Sequence, residues 1–234
     1  MAVWGIADLH LSFETDKPMD VFGDKWKNYT QKLKKSWEER VAMEDLVIIP
    51  GDVSWAMNLE ETRKDFAWLD ALPGTKVMVK GNHDYWWSTV KKVREALPPS
   101  IYVLQNDHLE WNGWAVCGTR GWTCPAEGGF EESRDEKIYL REQQRLEFSL
   151  QSARAAGFES IIAALHYPPF NSCREDSVFT RLLSAYGVKY CLYGHLHGEA
   201  LHLAFEGEMQ GVKYLFVSAD ALEFSPALVV SENG

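Results

Sequence analysis

Residues 76–84 read Lys-Val-Met-Val-Lys-Gly-Asn-His-Asp, an apolar run that ends in three consecutive polar residues. The apolar part predicts a short buried strand. Asn82 offers a neutral oxygen, His83 an imidazole that titrates near neutral pH, and Asp84 a carboxylate that can orient that ring. Gly81 allows a sharp turn or a close approach to an ion. Alone, the stretch could be a loop with a capping asparagine and a surface histidine, so its meaning depends on the rest of the chain.

The same arrangement recurs at other places, where an apolar run that predicts a buried strand is followed at once by polar groups. The runs are 2–7, 46–49, 160–165 and 189–193, and the groups after them are Asp8 and His10, Asp52, His166, and His195 with His197. Strands that alternate with helices predict a largely parallel core. The carboxyl ends of such strands lie at one edge, where open α/β sheets bind their ligands. The polar groups are therefore expected to converge.

Helices are predicted where apolar residues recur every three or four positions. They cover about 25–42, 58–72 with Asn58 as the cap, 88–97 with Ser88 as the cap, and a long stretch that ends near residue 156. Asn112-Gly113 predicts a hairpin within residues 109–116. Alternating apolar residues near 201–205, 212–217 and 227–230 predict antiparallel strands that close the fold.

The length and composition are those of one globular domain, residues 1–234. No run of about 18 apolar residues could span a bilayer. The net charge of −10 argues against a general basic surface for nucleic acid. It is compatible with a small phosphate site, because bound cations can reverse the local field.

The four cysteines form no C-x-x-C pair, which argues against a thiolate zinc site or a dithiol redox motif. Reduced thiols in a cytoplasmic protein are the expectation. The first residues have no basic region of a secretory signal, and cleavage of a leader would remove Asp8 and His10. We therefore expect a cytoplasmic chain that is active without processing.

The polar groups at the strand ends also restrict the chemistry. They comprise carboxylates, imidazoles and one amide oxygen, without cysteine. Such ligands suit manganese, iron or zinc rather than copper(I), and they are too many for a single tetrahedral ion. Two ions that share one carboxylate, as in two-metal phosphoryl-transfer sites, fit the number of ligands.

Taken in order, the motifs resemble those of the calcineurin-like metallophosphoesterase family, which are dinuclear-metal phosphoesterases. They are D-x-H at 8–10, G-D at 51–52, G-N-H-D at 81–84, the region of His166, and G-H-x-H at 194–197. D-x-H and G-D are weak signals by themselves, whereas the two longer motifs are specific. The resemblance covers residues 8–197, most of the chain.

The resemblance implies a four-layer αββα sandwich of two mixed sheets flanked by helices. It also implies two divalent ions, manganese or iron, with zinc as the alternative. It assigns Asp8, His10 and His197 to the first ion, Asn82, His166 and His195 to the second, and Asp52 to the bridge between them. His83 is then the proton donor, supported by Asp84. The implied reaction is hydrolysis of a phosphate mono- or diester by in-line attack of a metal-bridging hydroxide.

The motifs leave the substrate open among monoesters, cyclic nucleotides, nucleic acids and phospholipid headgroups. The acidic composition favours a small phosphorylated substrate over nucleic acid. A non-catalytic metal-binding interaction module on the same fold is the alternative function. Intact ligands and an intact proton donor argue against it.

Other residues are interpreted more simply. His108 and His202 lie outside the motifs and are expected to be structural or surface histidines. The default for the tryptophans at the predicted ligand edge is packing, with substrate contact as the alternative. They are Trp55, Trp86, Trp87 and Trp122. Arg120 is either a phosphate clamp or an ordinary surface arginine.

Overall fold

Two β-sheets lie face to face, and helices cover the outer face of each. The computed structural model describes residues 1–125 and 127–231. In chain order the strands are β1 (Ala2–Gly5), β2 (Leu46–Ile49), β3 (Thr75–Met78), β4 (Ile101–Val103), β5 (His108–Trp111), β6 (Trp114–Thr119), β7 (Ile161–Leu165), β8 (Tyr190–Tyr193), β9 (Gly207–Met209), β10 (Val212–Phe216) and β11 (Ala227–Ser231). The helices are α1 (Tyr29–Arg40), α2 (Arg63–Asp70), α3 (Val90–Ala96), α4 (Glu132–Ala155) and α5 (Val178–Ala185).

Parallel strands form the centre of both sheets. The five-stranded sheet has the order β11-β1-β2-β3-β4, with β11 antiparallel to β1 and the other pairs parallel. The six-stranded sheet has the order β5-β6-β7-β8-β10-β9, with antiparallel strands at both edges. The two sheets meet at an isolated parallel bridge between Ala7 and Ser218. The carboxyl ends of β1 and β10 therefore lie together.

Three apolar cores separate the four layers. Val3, Val77 and Ile162 belong to the core between the sheets. On the outer face of the first sheet, Trp37 of α1 lies in a second core that includes Val47 and Ile49 of β2. A third core joins α4 and α5 to the outer face of the second sheet. Because neighbouring residues of the central strands face different cores, these strands are apolar throughout. The structure confirms the predicted sandwich of two mixed sheets flanked by helices.

Two predictions near the carboxyl terminus are wrong. Residues 201–205 do not form a strand, since a 3-10 helix covers Gly198–Leu203. Residues 212–217 do contain a strand, but β10 runs parallel to β8 and is antiparallel only to β9. The predicted antiparallel strand at 227–230 is confirmed as β11.

The helices begin later than predicted, for local reasons. Before α1, the chain forms 3-10 helices at Met19–Phe22 and Asp24–Trp26, and Asn28 has a φ of 54°, which cannot continue a helix. Asn58 caps only a turn, because its side chain accepts from the backbone N–H groups of Glu60 and Glu61. The cap of α3 is Thr89 rather than Ser88.

The hairpin at Asn112-Gly113 is confirmed. Asn112 has a φ of 45° and Gly113 a φ of 82°, as a two-residue turn of type I′ requires. Within the described residues, none of the helices combines the length and apolar character needed to cross a membrane.

All four cysteines are free. Cys117, Cys124 and Cys191 are buried, whereas Cys173 is exposed. Burial raises the pKa of the Cys117 and Cys124 thiols to about 12, which keeps both groups protonated at neutral pH.

Candidate metal centre

The loops that follow β1, β2, β3, β7 and β8 meet at one edge of the sandwich, and the predicted site residues lie there together. Asp8 connects the two sheets, because its Oδ2 accepts from the backbone N–H of His195 at 3.0 Å. Asn82, which follows β3, contacts both His166 and His195. The sequence prediction that these groups converge agrees with the geometry.

The first ligand group consists of Asp8, His10 and His197. One ligand atom from each lies within 4.8 Å of the others. Asp8 Oδ1 is 3.6 Å from His197 Nε2. These two atoms and His10 Nδ1 are buried without a hydrogen-bond partner among the described residues. Unpartnered buried polar atoms are costly, and a cation between them would satisfy the carboxylate and the imidazole.

The second ligand group consists of Asp8, Asp52 and His166, again with one atom of each within 4.8 Å of the others. Asn82 Oδ1 is 2.5 Å from His166 Nε2 and 3.0 Å from His195 Nδ1, so two imidazoles and an amide oxygen point to one place. Asp52 Oδ2 is 3.5 Å from His166 Nε2 and 3.9 Å from His10 Nε2. Asp52 thus belongs to the second group and also faces His10 of the first.

The backbone at the site is strained. Asp8, His10, Asp52 and His195 all have positive φ, at 61°, 47°, 52° and 75°. Non-glycine residues rarely adopt this conformation, which costs about 1–3 kcal/mol each where it is enforced. Hydrogen bonds between the two loops hold it, since the N–H of Asp8 donates to Gly51 O and that of His10 to Asp52 O. This backbone conformation directs four candidate ligand side chains toward the same space.

Glycines beside the ligands provide the room they need. A Cβ on Gly81 would lie 2.0 Å from Asp52 Oδ1, and one on Gly194 would lie 2.4 Å from Asp8 Oδ2. Even alanine would therefore displace a ligand carboxylate. This explains the glycines of G-N-H-D and G-H-x-H. In G-D, a Cβ on Gly51 would instead lie 2.7 Å from Gly81 Cα and 2.9 Å from His166 Nδ1.

The electrostatics of the site favour a bound cation. Burial and the carboxylates of Asp84 and Asp8 raise the pKa of Asp52 well above its usual range. Burial lowers the pKa of His10 to about 3 and that of His195 to about 4, which leaves both rings neutral and able to bind a metal. Crowded carboxylates with neutral imidazoles are a donor set that a divalent ion stabilises.

Comparison with known proteins agrees with this donor set. Residues 1–199 match the model of the calcineurin-like phosphoesterases, a match that covers well over half of the chain. The chain belongs to the calcineurin-like phosphoesterase family. The matched residues contain every ligand described above.

Individual relatives of this family member are distant. The gene 66 protein of Mycobacterium phage L5 is 28% identical over 81 residues, which make up 35% of this chain and 39% of the phage protein. The crystal structure of a phosphopantetheinyl hydrolase from Mycobacterium tuberculosis superposes with a TM-score of 0.59 at 15% identity, covering 99% of this chain and 96% of the hydrolase. At that identity the likeness shows the fold alone. A protein of unknown function from Aquifex aeolicus, AQ665, gives a TM-score of 0.46 at 15% identity, with 97% and 95% of the two chains covered.

Two residues that contact the candidate ligands of this family member were not identified from the sequence. Asp220 Oδ1 lies 2.9 Å from His197 Nδ1, and Ser218 donates its hydroxyl to Asp8 Oδ2 at 2.6 Å. Burial alone would lower the pKa of His197, but the carboxylates of Asp8 and Asp220 outweigh it and raise the pKa to about 10. Unlike His10 and His195, this ring is protonated at neutral pH in the metal-free site, and a cation bound there would replace the proton on Nε2. Ser218 and Asp220 follow the apolar strand β10, so the same strand-end signal was present. It was overlooked because β10 was predicted to be antiparallel.

His83 is half-buried and faces the first ligand group. Its ring centroid is 4.5 Å from that of Trp55 and 5.8 Å from that of His10. Its backbone N–H donates to Asp52 Oδ1 at 2.8 Å, which ties its position to the carboxylate between the two groups. Burial lowers the pKa of the His83 imidazole. The ring is thus at the site without being part of either ligand group.

Asp84 has a different position from the one expected. Its buried carboxylate accepts from the backbone N–H groups of Gly81, Asp52 and Val53 at 2.7–3.0 Å, and from the indole of Trp86 at 2.9 Å. Within the described residues, the donors to Asp84 do not include the ring of His83. Asp84 therefore holds the loop that carries Asp52, rather than orienting the imidazole.

The remaining candidates separate into core and site. Trp86 is buried, and so is Trp87, which packs against it. Trp55 stacks on His10 with ring centroids 4.9 Å apart. The ring of Trp122 lies 5.0 Å from that of Tyr167, which in turn lies 4.0 Å from that of His195.

The two histidines outside the motifs do not belong to either ligand group: His108 contacts Ser152, and His202 is in the 3-10 helix Gly198–Leu203. Arg120 is not an ordinary surface arginine, since only 13% of its side chain is exposed.

Proposed function

We propose that the chain hydrolyses phosphate esters with two divalent metal ions bound at this edge. The supporting observation is the pair of ligand groups, which share Asp8 and have Asp52 between them. Family membership supports the reaction class. The three buried polar atoms without a partner support the presence of a cation.

The proposed assignment keeps the first group and adds to the second Asn82 and His195, which lie beside His166. Asp8, His10 and His197 would hold one ion, Asn82, His166 and His195 would hold the other, and Asp52 would be shared. The family resemblance assigns Asp8, which both groups contain, to the first ion. Oxygen and imidazole ligands without sulfur favour manganese or iron, with zinc as the alternative. Two such ions would supply an activated water and would neutralise charge on the phosphoryl oxygens.

The residues of the chain then have separate tasks. Asp52 is held by the N–H of His83, and Asp84 fixes the loop behind it, so the carboxylate between the groups stays in place. His83 donates a proton to the departing oxygen, a role that its half-buried ring beside the first ligand group supports. Trp55 packs against that ring, with centroids 4.5 Å apart, and restricts its orientation.

A small organic substrate suits the space beside the site. A cleft of about 220 Å³ borders His195 and is lined by Tyr167, Phe170, Leu196 and Leu203. The polar side chains of Thr123, Glu127, Asn171 and Ser172 also line the cleft. Apolar walls with a few polar groups are typical of sites that recognise small organic groups. We therefore propose a small phosphorylated molecule as the substrate, in preference to nucleic acid. A cytoplasmic location remains a prediction, which cell fractionation would test.

The test uses the full chain loaded with manganese, ferrous iron or zinc, assayed with 4-nitrophenyl phosphate and bis(4-nitrophenyl) phosphate. We expect turnover of at least one ester and close to two equivalents of metal, the stoichiometry of a two-metal site. His166→Ala should lose metal and activity. The matched control, His202→Ala, should keep both. If the metal-loaded chain turned over neither ester, a non-catalytic metal-binding module would be the better description.

A further inference from the structure

A group of positively charged side chains lies beside the metal centre, in a chain whose net charge is −10. We call Lys80, Arg120, Arg141 and Arg145 the cationic cluster. Arg120 follows β6, Lys80 follows β3, and the other two belong to α4. The cluster therefore combines both sheets with the helix that covers the second one.

Glu142 is the centre of the cluster. Its carboxylate is fully buried and lies 2.9 Å from Arg145, 3.4 Å from Arg120 and 3.5 Å from Arg141. The hydroxyl of Thr119 donates to its other oxygen at 2.6 Å. A buried carboxylate needs a partner, but one bidentate arginine would neutralise it.

The positive charge exceeds what Glu142 requires. Three arginines share one carboxylate. The half-buried ammonium of Lys80 is opposed by the charges of Arg120 and Arg145 and stabilised by those of Asp84 and Glu142, so four cationic groups face two carboxylates. Like charges at such distances repel each other, so an anion that joins the cluster would be stabilised. Arg120 also retains an unused donor, because its buried Nε has no hydrogen-bond partner among the described residues.

The cluster is connected to the metal centre by short contacts. The backbone oxygen of Arg120 accepts from the N–H groups of His166 and Tyr167 at 3.0 and 2.9 Å. The charge of Arg120 acts on Tyr167, whose ring packs on that of His195. Lys80 directly precedes Gly81 and Asn82 in the sequence. An anion at the cluster would thus lie next to the second ligand group.

We infer that the cationic cluster binds a second phosphate group of the substrate, beside the phosphate that is hydrolysed. The inference rests on the proposed function for its role in catalysis. The guanidinium of Arg120 lies over the ring of Trp122, 4.5 Å from its centroid, which fixes the plane of the fork. A fixed arginine fork matches two oxygens of a phosphate. A phosphate is preferred to a carboxylate because its greater charge balances more of the cluster.

The direct test is anion binding, which does not depend on hydrolysis. Sulfate, as a stable dianion, is titrated into the zinc-loaded full chain while the Nε–Hε resonances of the arginines are followed by NMR. The Arg120 signal is assigned by its loss in Arg120→Lys. It should shift saturably in the wild type and in Lys35→Gln, a control that removes an exposed charge from α1. Arg145→Gln should weaken the binding by roughly ten- to a hundredfold, as for a charge-assisted hydrogen bond.

The opposite results would overturn the inference. They are the absence of a saturable shift at Arg120, or unchanged sulfate affinity in Arg145→Gln. A parallel titration with acetate separates the two anion classes. Tighter binding of acetate than of sulfate would assign the cluster to a carboxylate instead.

A substrate pair then tests the role in catalysis. Phosphate release from adenosine 5′-monophosphate is compared with that from adenosine 3′,5′-bisphosphate. Arg145→Gln should lower the ratio of kcat/KM for the bisphosphate to that for the monophosphate, whereas Lys35→Gln should leave the ratio unchanged. An unchanged ratio in Arg145→Gln would overturn the subsite. Sulfate binding with no hydrolysis of any ester would instead refute the proposed function and leave the anion site in place.

Discussion

The two halves of the proposed metal centre have similar candidate ligands but hold them differently. In the first half, His197 has the carboxylate of Asp220 behind it at 2.9 Å, and Asp8 accepts the hydroxyl of Ser218 at 2.6 Å. In the second half, His166 Nδ1 lies 3.0 Å from the backbone oxygen of Pro50 and 3.6 Å from Asp8 Oδ1, a longer contact than that of His197 with Asp220, and His195 packs against the ring of Tyr167.

This difference has a chemical meaning. A carboxylate behind an imidazole makes the ligand more basic, whereas a carbonyl mainly fixes its orientation. His195 of the second half also borders the cleft. We therefore expect the first half to bind its cation more tightly, and the second to be the side that meets the substrate.

The largest effect is expected from Asp52→Asn, which removes the charge between the halves. Both cations should bind more weakly, by more than the roughly 10–100-fold that follows loss of an outer partner. Asparagine tolerates positive φ, so the backbone should keep its shape. Metal titration calorimetry provides the measurement, and two undiminished binding steps would show that Asp52 is not shared.

The next effect concerns His83, which lies on the side of the first half. His83→Ala should reduce hydrolysis of an alkyl ester by roughly 10²–10⁴-fold, because an alkoxide needs a proton to depart. It should affect 4-nitrophenyl esters little, since nitrophenolate leaves nearly unassisted. Metal content should stay at the wild-type level. Equal losses for both esters, accompanied by missing metal, would make His83 a ligand and enlarge the first half.

Asp220→Asn tests the difference directly. It should lower the affinity for the more tightly bound metal ion by roughly 10–100-fold, with little change in the affinity for the other ion. The control is Asp176→Asn, which removes an exposed carboxylate that contacts Gln210. If both steps weakened equally in Asp220→Asn, the two halves could not be treated as separate sites.

The smallest effect is expected from Trp55→Leu. Trp55 stacks on His10 of the first half, and such ring pairs contribute about 0.5–1.5 kcal/mol. The tighter metal step should weaken by less than about tenfold. Trp122→Leu, on the side of the second half, should leave that step unchanged. If Trp122→Leu weakened the tighter metal binding and Trp55→Leu did not, the aromatic contacts would not distinguish the two halves in this way.

The sequence was sufficient to predict that the candidate ligands converge, because they follow apolar runs at the ends of strands. That local signal also preceded Ser218 and Asp220, yet both were missed. To predict which strand ends reach the site, one must know the direction of each strand. The alternation of apolar residues does not reveal it, because the alternation is the same in parallel and antiparallel strands. The direction of β10 depends on its pairing with β8, which is a tertiary property.

Other features depended on contacts between distant residues. Adjacency in sequence suggested that Asp84 supports His83, but the backbone turns and presents the Asp84 carboxylate to the N–H groups of Asp52 and Val53. Likewise, the sequence left Arg120 open between clamp and surface residue. Its environment is set by Glu142, which lies in the interior of α4 and belongs to no sequence motif.

The distribution of the thiols has a practical use in solution experiments. Because Cys117, Cys124 and Cys191 are buried, a maleimide dye should attach selectively at the exposed Cys173. The backbone N–H of Cys173 donates to the side chain of Asn171, which lines the cleft beside His195. A fluorophore placed there would sense occupancy of the cleft without any change to the sequence, so ligands could be screened before a substrate is known.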